Sequence, residues 1–192
     1  LKEKAFKNAN MKEKRFIGFA PVFARDDMTG YTFASNNLKT ENSYSELDNE
    51  LRSSFIAGDK FSELKYSRYE IESILQLLKS GNNNLGYFFA DATEEKFKSK
   101  VNNFNIVHIA SHSFINETRP QISGIVFAQT SDTTSEEDGI LYSGETYNLD
   151  MNADLVVLSS CESGLGKLVK GEGMMALTRG FLFSGAANII FS

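Results

Sequence analysis

Short apolar segments bounded by polar ones recur along the chain, and this pattern predicts a series of buried β-strands. We expect DLVVLSS to be a fully buried central strand, because every residue between its aspartate and its serines is apolar. From residue 25 to residue 60 the pattern is weak, which predicts a long excursion from the sheet with at best one short helix near 45–54. The predicted strands are RFIGFAPVF at 15–23, LGYFF at 85–89, NIVHIAS at 105–111, SGIVFA at 123–128, DLVVLSS at 154–160 and ANIIF at 187–191.

Apolar residues at helical spacing lie between these strands and predict three helices. The clearest helix begins at a capping box formed by Ser67 and Glu70 and continues to Gly81. Thr93 caps the second helix, and the third spans 172–184 and stops at a glycine. This alternation of strands and helices predicts the α/β class, with a mostly parallel central sheet and helices on both of its faces.

Composition places the chain among ordinary folded domains. It has 192 residues, of which 41% are hydrophobic and 23% are charged, so a core can form without disulfides or metals. The formal net charge of -5 comes without a basic cluster, which argues against direct binding to nucleic acid. No phosphate-binding glycine loop and no paired Cys or His at zinc spacing occurs, so we expect no cofactor and no metal. The polar, acidic segment 129–139 predicts a weakly ordered surface loop.

Cysteine usage and the chain's first residues bear on its location. A single cysteine cannot form an internal disulfide, and a free thiol fits a reducing compartment, so we expect a cytoplasmic protein. No apolar run approaches the roughly 20 residues that span a bilayer, so no membrane partner is expected. The charged residues 1–14 begin with Leu rather than Met, and we expect them to be a helical or linker lead-in from a longer protein, followed by one domain at 15–192.

Two reactive side chains directly follow apolar strands. His112 lies at the end of HIASHS, and Cys161 lies within VVLSSCESG. In open α/β sheets ligands bind at the carboxyl ends of the strands, so we expect both side chains at that edge. A thiolate attacks carbonyl carbons effectively, and a neighbouring imidazole can take its proton and return it to the leaving amine. The two residues are therefore candidates for the dyad of a cysteine peptidase.

Each of these residues also has an ordinary structural explanation. A lone cysteine is more often a small buried hydrophobe than a nucleophile, and a lone histidine at a strand end is as often structural as functional. The polar, glycine-containing sequence around Cys161 favours an exposed thiol. His108 lies four residues before His112, about 13 Å away along a strand, so the two histidines cannot bind one metal together.

The segments that carry these residues resemble the CHAT family, caspase-like domains that are often fused to TPR repeats. The resemblance extends to the FAPVF strand and the ATEEKF segment, and so covers most of the chain. It implies a caspase-like three-layer sandwich, as in separases, gingipains and metacaspases. It also implies that the domain continues beyond Ser192, so we expect it to be incomplete at its C-terminus. The most specific segments are HIASHS, VVLSSCESG and GEGMMALTRGFLFSGA.

By this resemblance the family's catalytic histidine and cysteine map onto His112 and Cys161, and its buried strand histidine maps onto His108. Backbone amides of Ser113 and Cys161 would form the oxyanion hole, although the family usually has Gly where this chain has Ser113. The implied activity is that of a cysteine endopeptidase that cleaves a protein partner. A sensor or TPR-type module of a longer protein would regulate it.

Three questions stay open at this stage. Ser113 and the early C-terminus leave room for another class of function, an inactive caspase-like scaffold or protein-binding module. Acidic residues near the cysteine favour a basic residue at the substrate's P1 position, and these are Asp154, Glu162 and Glu172. The sequence does not identify the group that orients His112, for which the candidates are Asn105, Asn116, Glu117 and Glu162.

Overall fold

A parallel sheet of five strands and a smaller antiparallel sheet of three strands make up the framework. The computed structural model describes residues 15–23, 63–78, 83–116, 119–128, 137–160 and 172–192. Their strands are β1 (Phe16–Ala20), β2 (Leu85–Phe88), β3 (Ile106–Ala110), β4 (Ser113–Phe114), β5 (Gly124–Val126), β6 (Ile140–Tyr142), β7 (Leu155–Ser159) and β8 (Ile189–Phe191). Their helices are α1 (Ser67–Leu77), α2 (Glu94–Lys100), α3 (Ser143–Thr146) and α4 (Glu172–Phe183), with short 3-10 turns at Phe89–Asp91, Val101–Asn103 and Pro120–Ile122.

The larger sheet has the strand order β2-β1-β3-β7-β8, and every pairing in it is parallel. This arrangement confirms the predicted mostly parallel central sheet. β7 lies inside the sheet between β3 and β8, but the prediction that 154–160 is fully buried is wrong, because only alternate residues of β7 are fully buried. A short apolar run does not distinguish burial on one face from burial on both, so periodicity could not decide this point.

Helices cover both faces of the parallel sheet, as predicted. Helix α1 lies on one face, where Ile71 packs with Phe16, Ala20 and Ala110. Helices α2 and α4 lie on the other face, where the larger core includes Phe97 and Phe181 together with Ile17, Phe19, Val107, Ile109, Val156 and Leu158. Alternate residues of β1 and β3 therefore feed two different cores, as the pleat of a strand requires. None of the described helices is long and apolar enough to cross a membrane.

Two paired glycines allow α1 to approach the sheet closely. Gly18 and Gly86 lie opposite each other in β1 and β2. A Cβ at Gly18 would lie 2.5 Å from an Ile71 side-chain carbon, and one at Gly86 would lie 2.8 Å from a Leu75 carbon. Larger residues at these positions would push the helix away from the sheet, and Glu70 of the same helix contacts the sheet through its carboxylate.

Helix ends follow the sequence signals only in part. Thr93 accepts a hydrogen bond from the Lys96 amide at 3.3 Å, which confirms it as the cap of α2. The capping box at Ser67 is wrong, because Tyr66 is the N-cap of α1 and the Ser67 hydroxyl donates to the Leu64 carbonyl instead. Helix α4 ends before Gly185, whose φ of 118° confirms the predicted glycine stop.

The SGIVFA segment forms a strand, β5, but in the small sheet rather than the parallel one. It lies between β4 and β6 and is antiparallel to both. A parallel bridge between Thr93 and Ala128 links the end of this segment to the start of α2. Three apolar residues carry no information about strand direction, which is why the sequence did not reveal a second sheet.

Several predictions fall on residues outside the described ranges. They are the excursion at 25–60 with its helix near 45–54, the stop at Gly81, and most of the loop at 129–139. The last residues of that loop, 137–139, are described, and they make specific contacts with α2. Glu137 contacts the Lys98 ammonium, and the Gly139 amide donates to a Glu94 carboxylate oxygen at 2.9 Å.

Candidate active site

His112 follows β3 at the carboxyl edge of the parallel sheet, as predicted. Its side chain is buried, and its ring centroid lies 5.1 Å from that of Phe23. Its carbonyl accepts a hydrogen bond from the Val126 amide at 2.9 Å. The Ser111 hydroxyl donates to the Val126 carbonyl, so one residue of β5 contacts both His112 and the residue before it. Neighbouring secondary structure thus holds the backbone of His112 in place.

The residues after β1 adopt an uncommon backbone conformation beside this histidine. Val22 and Phe23 have φ angles of 66° and 55°. The Phe23 amide donates to the Pro21 carbonyl at 2.8 Å, which makes Val22 the centre of a γ-turn with positive φ. A β-branched residue rarely adopts this conformation, and residues held in it cost on the order of 1–3 kcal/mol each. The turn places the Phe23 ring against His112.

Strands β3 and β7 bring the neighbours of His112 and Cys161 together. Ala110 pairs with Ser159, and the Ser111 amide donates to the Ser159 carbonyl at 3.2 Å. Two residues beyond Ser111 and one beyond Ser159, the Ser113 hydroxyl donates to the Ser160 hydroxyl at 2.9 Å. Cys161 itself lies outside the described residues. It is covalently joined to Ser160, and consecutive Cα atoms are about 3.8 Å apart.

The Ser113 amide faces away from β5. In an antiparallel pair, hydrogen-bonded and non-hydrogen-bonded positions alternate. His112 opposite Val126 is a hydrogen-bonded position, because the Val126 amide donates to the His112 carbonyl. The next position, Ser113 opposite Ile125, is then a non-hydrogen-bonded one, whose amide is directed to the other side of the strand.

A carboxylate on α1, that of Glu70, contacts both β3 and β7. The Ser159 hydroxyl donates to Oε2 of Glu70 at 3.1 Å, and Oε1 of Glu70 lies 2.9 Å from Nε2 of His108. At this distance Glu70 favours a proton on the His108 imidazole, whereas burial disfavours it. Glu70 therefore bridges β3 and β7 two residues before Cys161.

His108 is a buried strand histidine, as the sequence resemblance implies. Its ring shares the α1 face of the sheet with Phe16, at a centroid distance of 6.5 Å. Burial lowers the pKa of His108 below its ordinary value, and the charge of Glu70 opposes this shift only in part. The imidazole is therefore neutral at pH 7.

The described positions remove some of the candidates left open by the sequence. Asn105 precedes β3, about 23 Å along the strand from His112, and so cannot orient that ring. Asp154 directly precedes β7, at the end of that strand away from Cys161. The length of the strand therefore excludes it from a substrate pocket beside Cys161. The side-chain oxygen of Asn116 accepts a hydrogen bond from the Arg119 amide at 2.7 Å. Glu117 and Glu162 lie outside the described residues, and the side chain of Glu172 is not described.

A separate polar cluster surrounds Lys98 of α2, and sequence reasoning missed it. The Lys98 ammonium lies 2.7 Å from a Glu94 oxygen and 2.9 Å from a Glu145 oxygen, and it also contacts Glu137. These carboxylates have oxygens within 4.8 Å of one another, a spacing that could hold a metal ion. The ammonium already occupies the space among them, so the arrangement is an ion cluster. Only the Glu94 to Lys98 spacing of four residues was visible in the sequence.

Burial changes the protonation of this cluster. Glu94 is 1% exposed, and burial raises its pKa to about 8 although Lys98 opposes the shift. For Lys98, burial lowers the pKa, but hydrogen bonds to its carboxylate partners outweigh burial and raise it overall. One ammonium among three carboxylates leaves an excess of negative charge, so a proton on the most buried carboxyl group is the favourable arrangement.

Sequence comparison connects this geometry to a known family. A family model described as CHAT domain matches residues 23–192, so β1 lies just before the matched part although it pairs with β2 and β3 inside the sheet. A search of curated protein sequences found no match to the chain. The parallel sheet with helices on both faces is a caspase-like α/β sandwich. Because the family match spans most of the sequence, the chain belongs to the CHAT domain family.

Proposed function

We propose that this chain is a cysteine endopeptidase domain in which Cys161 is the nucleophile and His112 its general base. Family membership supports a caspase-like, peptidase-related module. The specific activity rests on one further observation. The residues directly after His112 and directly before Cys161 are joined by the 2.9 Å hydrogen bond from the Ser113 hydroxyl to the Ser160 hydroxyl. The hydrogen bond between these neighbouring residues would keep the imidazole and the thiol at the same edge of the sheet, where they are well suited to act together.

The chemistry assigns a separate role to each residue. The His112 imidazole takes the proton of the Cys161 thiol, and the thiolate adds to the scissile carbonyl carbon of the substrate. The imidazolium then donates that proton to the leaving amine as the tetrahedral intermediate collapses to an acyl-enzyme. Water, deprotonated by the same histidine, hydrolyses the thioester and restores the thiol.

The oxyanion of the tetrahedral intermediate needs backbone donors. The amides of Ser113 and Cys161 are our candidates, and the direction of the Ser113 amide away from β5 supports the first of them. Ser113 replaces the glycine that is usual in the family, but it still supplies a backbone amide. Its side chain is buried and forms a hydrogen bond with Ser160. Each such donor is worth about 3 kcal/mol of transition-state stabilisation in acyl-transfer sites.

The remaining parts of the proposal concern context. The substrate is a protein partner, and a sensor or TPR-type module of a longer protein regulates the site in the reducing environment of the cytoplasm. The net charge of -5 and the absence of a basic cluster in the sequence favour a protein rather than a nucleic acid as partner. A disorder-to-order step near the site would be the simplest form of regulation.

The experiment combines thiol labelling with a peptide-library cleavage assay. Cys161 is the chain's only cysteine, so alkylation reports on one site. We expect rapid alkylation by iodoacetamide near pH 7, at least about tenfold slower alkylation in His112→Ala, and no cleavage by Cys161→Ala. Phe104→Leu, which trims a buried ring at the other end of β3, is the control, and we expect no change in the alkylation rate from it.

Two outcomes would contradict the proposal. Cleavage by Cys161→Ala near the wild-type rate would exclude the cysteine as nucleophile. Equal alkylation rates in the wild type and in His112→Ala, with both chains folded, would exclude the dyad. In that second case an inactive caspase-like scaffold or protein-binding module becomes the better assignment for a folded chain that cleaves nothing.

A further inference from the structure

Two consecutive serines at the end of β7 are held from opposite directions. Ser159 donates its hydroxyl to Glu70 of α1, and Ser160 accepts a hydroxyl hydrogen bond from Ser113 of β4. Successive side chains of a strand point to opposite faces, so these two hydrogen bonds hold the end of the strand from both faces. The next residue in the chain is Cys161. The two hydrogen bonds therefore restrain the last two described residues before the proposed nucleophile.

We propose that Glu70 is a positioning residue that sets the geometry of Cys161 through Ser159. This inference rests on the proposed dyad and deepens it. Among the described residues, Glu70 reaches the strand that precedes Cys161 through one hydroxyl hydrogen bond of 3.1 Å to Ser159, and we assign its effect to that bond. The carboxylate lies on α1, far from Ser159 in sequence, so it couples the packing of a whole helix to the end of the strand.

The position of the Glu70 carboxylate is itself fixed on three sides. The Gly18 and Gly86 pair lets α1 lie close against β1 and β2, because a Cβ added at either glycine would collide with a side chain of α1. The second carboxylate oxygen lies 2.9 Å from the buried imidazole of His108 on β3. Both oxygens thus have partners on the two central strands, and rotation of the carboxylate would break both contacts at once.

A second acid on the same helix lacks these features. Glu72 pairs with Arg68 at 2.7 Å on the exposed side of α1. It lies two residues from Glu70, has the same charge, and contacts neither β3 nor β7 in any described interaction. The two carboxylates carry the same charge on the same helix, and the contacts with Ser159 and His108 distinguish Glu70 from Glu72. Glu72→Gln is therefore the matched control.

The test measures the iodoacetamide alkylation rate of Cys161 against pH, beside kcat and KM for peptide cleavage. In Glu70→Ala we expect kcat to fall about tenfold with little change in KM, because misplacing a reacting group affects the chemical step. The midpoint of the alkylation profile should rise toward the ordinary thiol value of about 8.5. Glu70→Gln keeps an oxygen that accepts the Ser159 hydroxyl, so it should restore most of kcat. Glu72→Gln should match the wild type.

A double-mutant cycle separates positioning from general destabilisation. If Glu70 acts through Ser159, the variant carrying both Glu70→Ala and Ser159→Ala should lose no more kcat than either single variant. Additive losses, or Glu70→Gln as impaired as Glu70→Ala, would overturn the inference. If Glu70→Ala does not fold, Glu70→Gln and Ser159→Ala measured alone decide the matter, because Ser159→Ala should then show the tenfold loss and Glu70→Gln should not.

The alkylation readout distinguishes failure of this inference from failure of the peptidase assignment. If Cys161→Ala cleaves peptides near the wild-type rate but Glu70→Ala still moves the alkylation midpoint of the wild-type cysteine, the positioning role stands and the peptidase assignment fails. If peptides are cleaved and neither kcat nor the midpoint responds to Glu70→Ala, the dyad stands and the positioning role is wrong.

Discussion

The carboxyl edge of the parallel sheet and the Lys98 cluster both join distant segments through polar groups, but they do so with different chemistry. At the sheet edge the links are mostly hydroxyl hydrogen bonds, such as that from Ser113 to Ser160. In the cluster one ammonium is surrounded by carboxylates on α2, on α3 and before β6. Hydroxyl links are short, directional and independent of pH near neutrality, whereas links between buried charges are stronger and depend on protonation.

This difference matches what each region must do. A thiol and an imidazole that exchange a proton are sensitive to nearby charge, so hydroxyl links can hold them in place without shifting their titration. The Lys98 cluster ties the described end of the 129–139 loop to α2, where Glu94 also accepts the Gly139 amide. None of the described contacts of its charged groups is with His112 or with a residue next to it. We therefore expect changes in the cluster to affect stability, and changes at the sheet edge to affect reactivity.

The largest effect should come from Lys98→Met, which keeps the length of the side chain and removes its charge. Three carboxyl groups would then lie together without their cation, one of them buried, and we expect the free energy of unfolding to fall by about 3 kcal/mol. Urea denaturation at pH 7 measures it. Lys96→Met is the control, because Lys96 pairs with a largely exposed Asp91 and should cost about 0.5 kcal/mol. Equal costs, or a fall in Cys161 alkylation in the folded Lys98→Met chain, would contradict the division of roles.

The next effect concerns pH and Glu94. Burial raises its pKa to about 8 from an ordinary 4.5, so between these values the folded chain binds a proton that the unfolded chain has released. Stability is then greatest at the acidic end and falls as pH rises, by about 2 kcal/mol between roughly pH 6 and pH 8. Glu94→Gln mimics the protonated group and should remove this fall.

Urea midpoints measured across that pH range test the Glu94 prediction. The exposed neighbour Glu95 supplies the control, because Glu95→Gln should leave the slope of stability against pH unchanged. An unchanged slope in Glu94→Gln would mean that another group carries the titration. A rise in wild-type stability with pH over this range would contradict the sign of the effect.

These contrasts also explain how far the sequence could lead. The periodicity of apolar residues predicted the α/β class, and Gly185 predicted the end of α4. Both predictions succeeded because strand burial and glycine conformation depend on the local sequence. The positions of His112 and Cys161 after strands predicted a shared sheet edge, and the β3 to β7 register agrees with that prediction up to Ser159. The dyad itself stays a prediction, since Cys161 lies outside the described residues.

What the sequence could not reveal depends on contacts between distant segments. Glu70 looked like half of a capping box, but its carboxylate contacts residues on β3 and β7. Glu137 looked like part of a loose acidic loop, but it contacts Lys98. No local pattern distinguishes a solvated acid from one that meets a partner 39 or 89 residues away. The strained turn at Val22 was equally hidden, because Val normally avoids that conformation.

The smallest effect we predict concerns Phe23, whose ring packs 5.1 Å from that of His112. Phe23→Leu keeps an apolar group there but removes the flat surface against which the imidazole rests. We expect a fall of about 1 kcal/mol in stability and a two- to fivefold slower alkylation of Cys161 near pH 7, on the order expected for a slightly misplaced base. Phe114→Leu is the control, because Phe114 belongs to the same apolar cluster and its described ring contact is with Tyr142. It should cost similar stability and leave alkylation within about twofold of the wild type. If the two variants slow alkylation equally, the loss follows from a loosened cluster, and the γ-turn at Val22 has no specific role in holding His112.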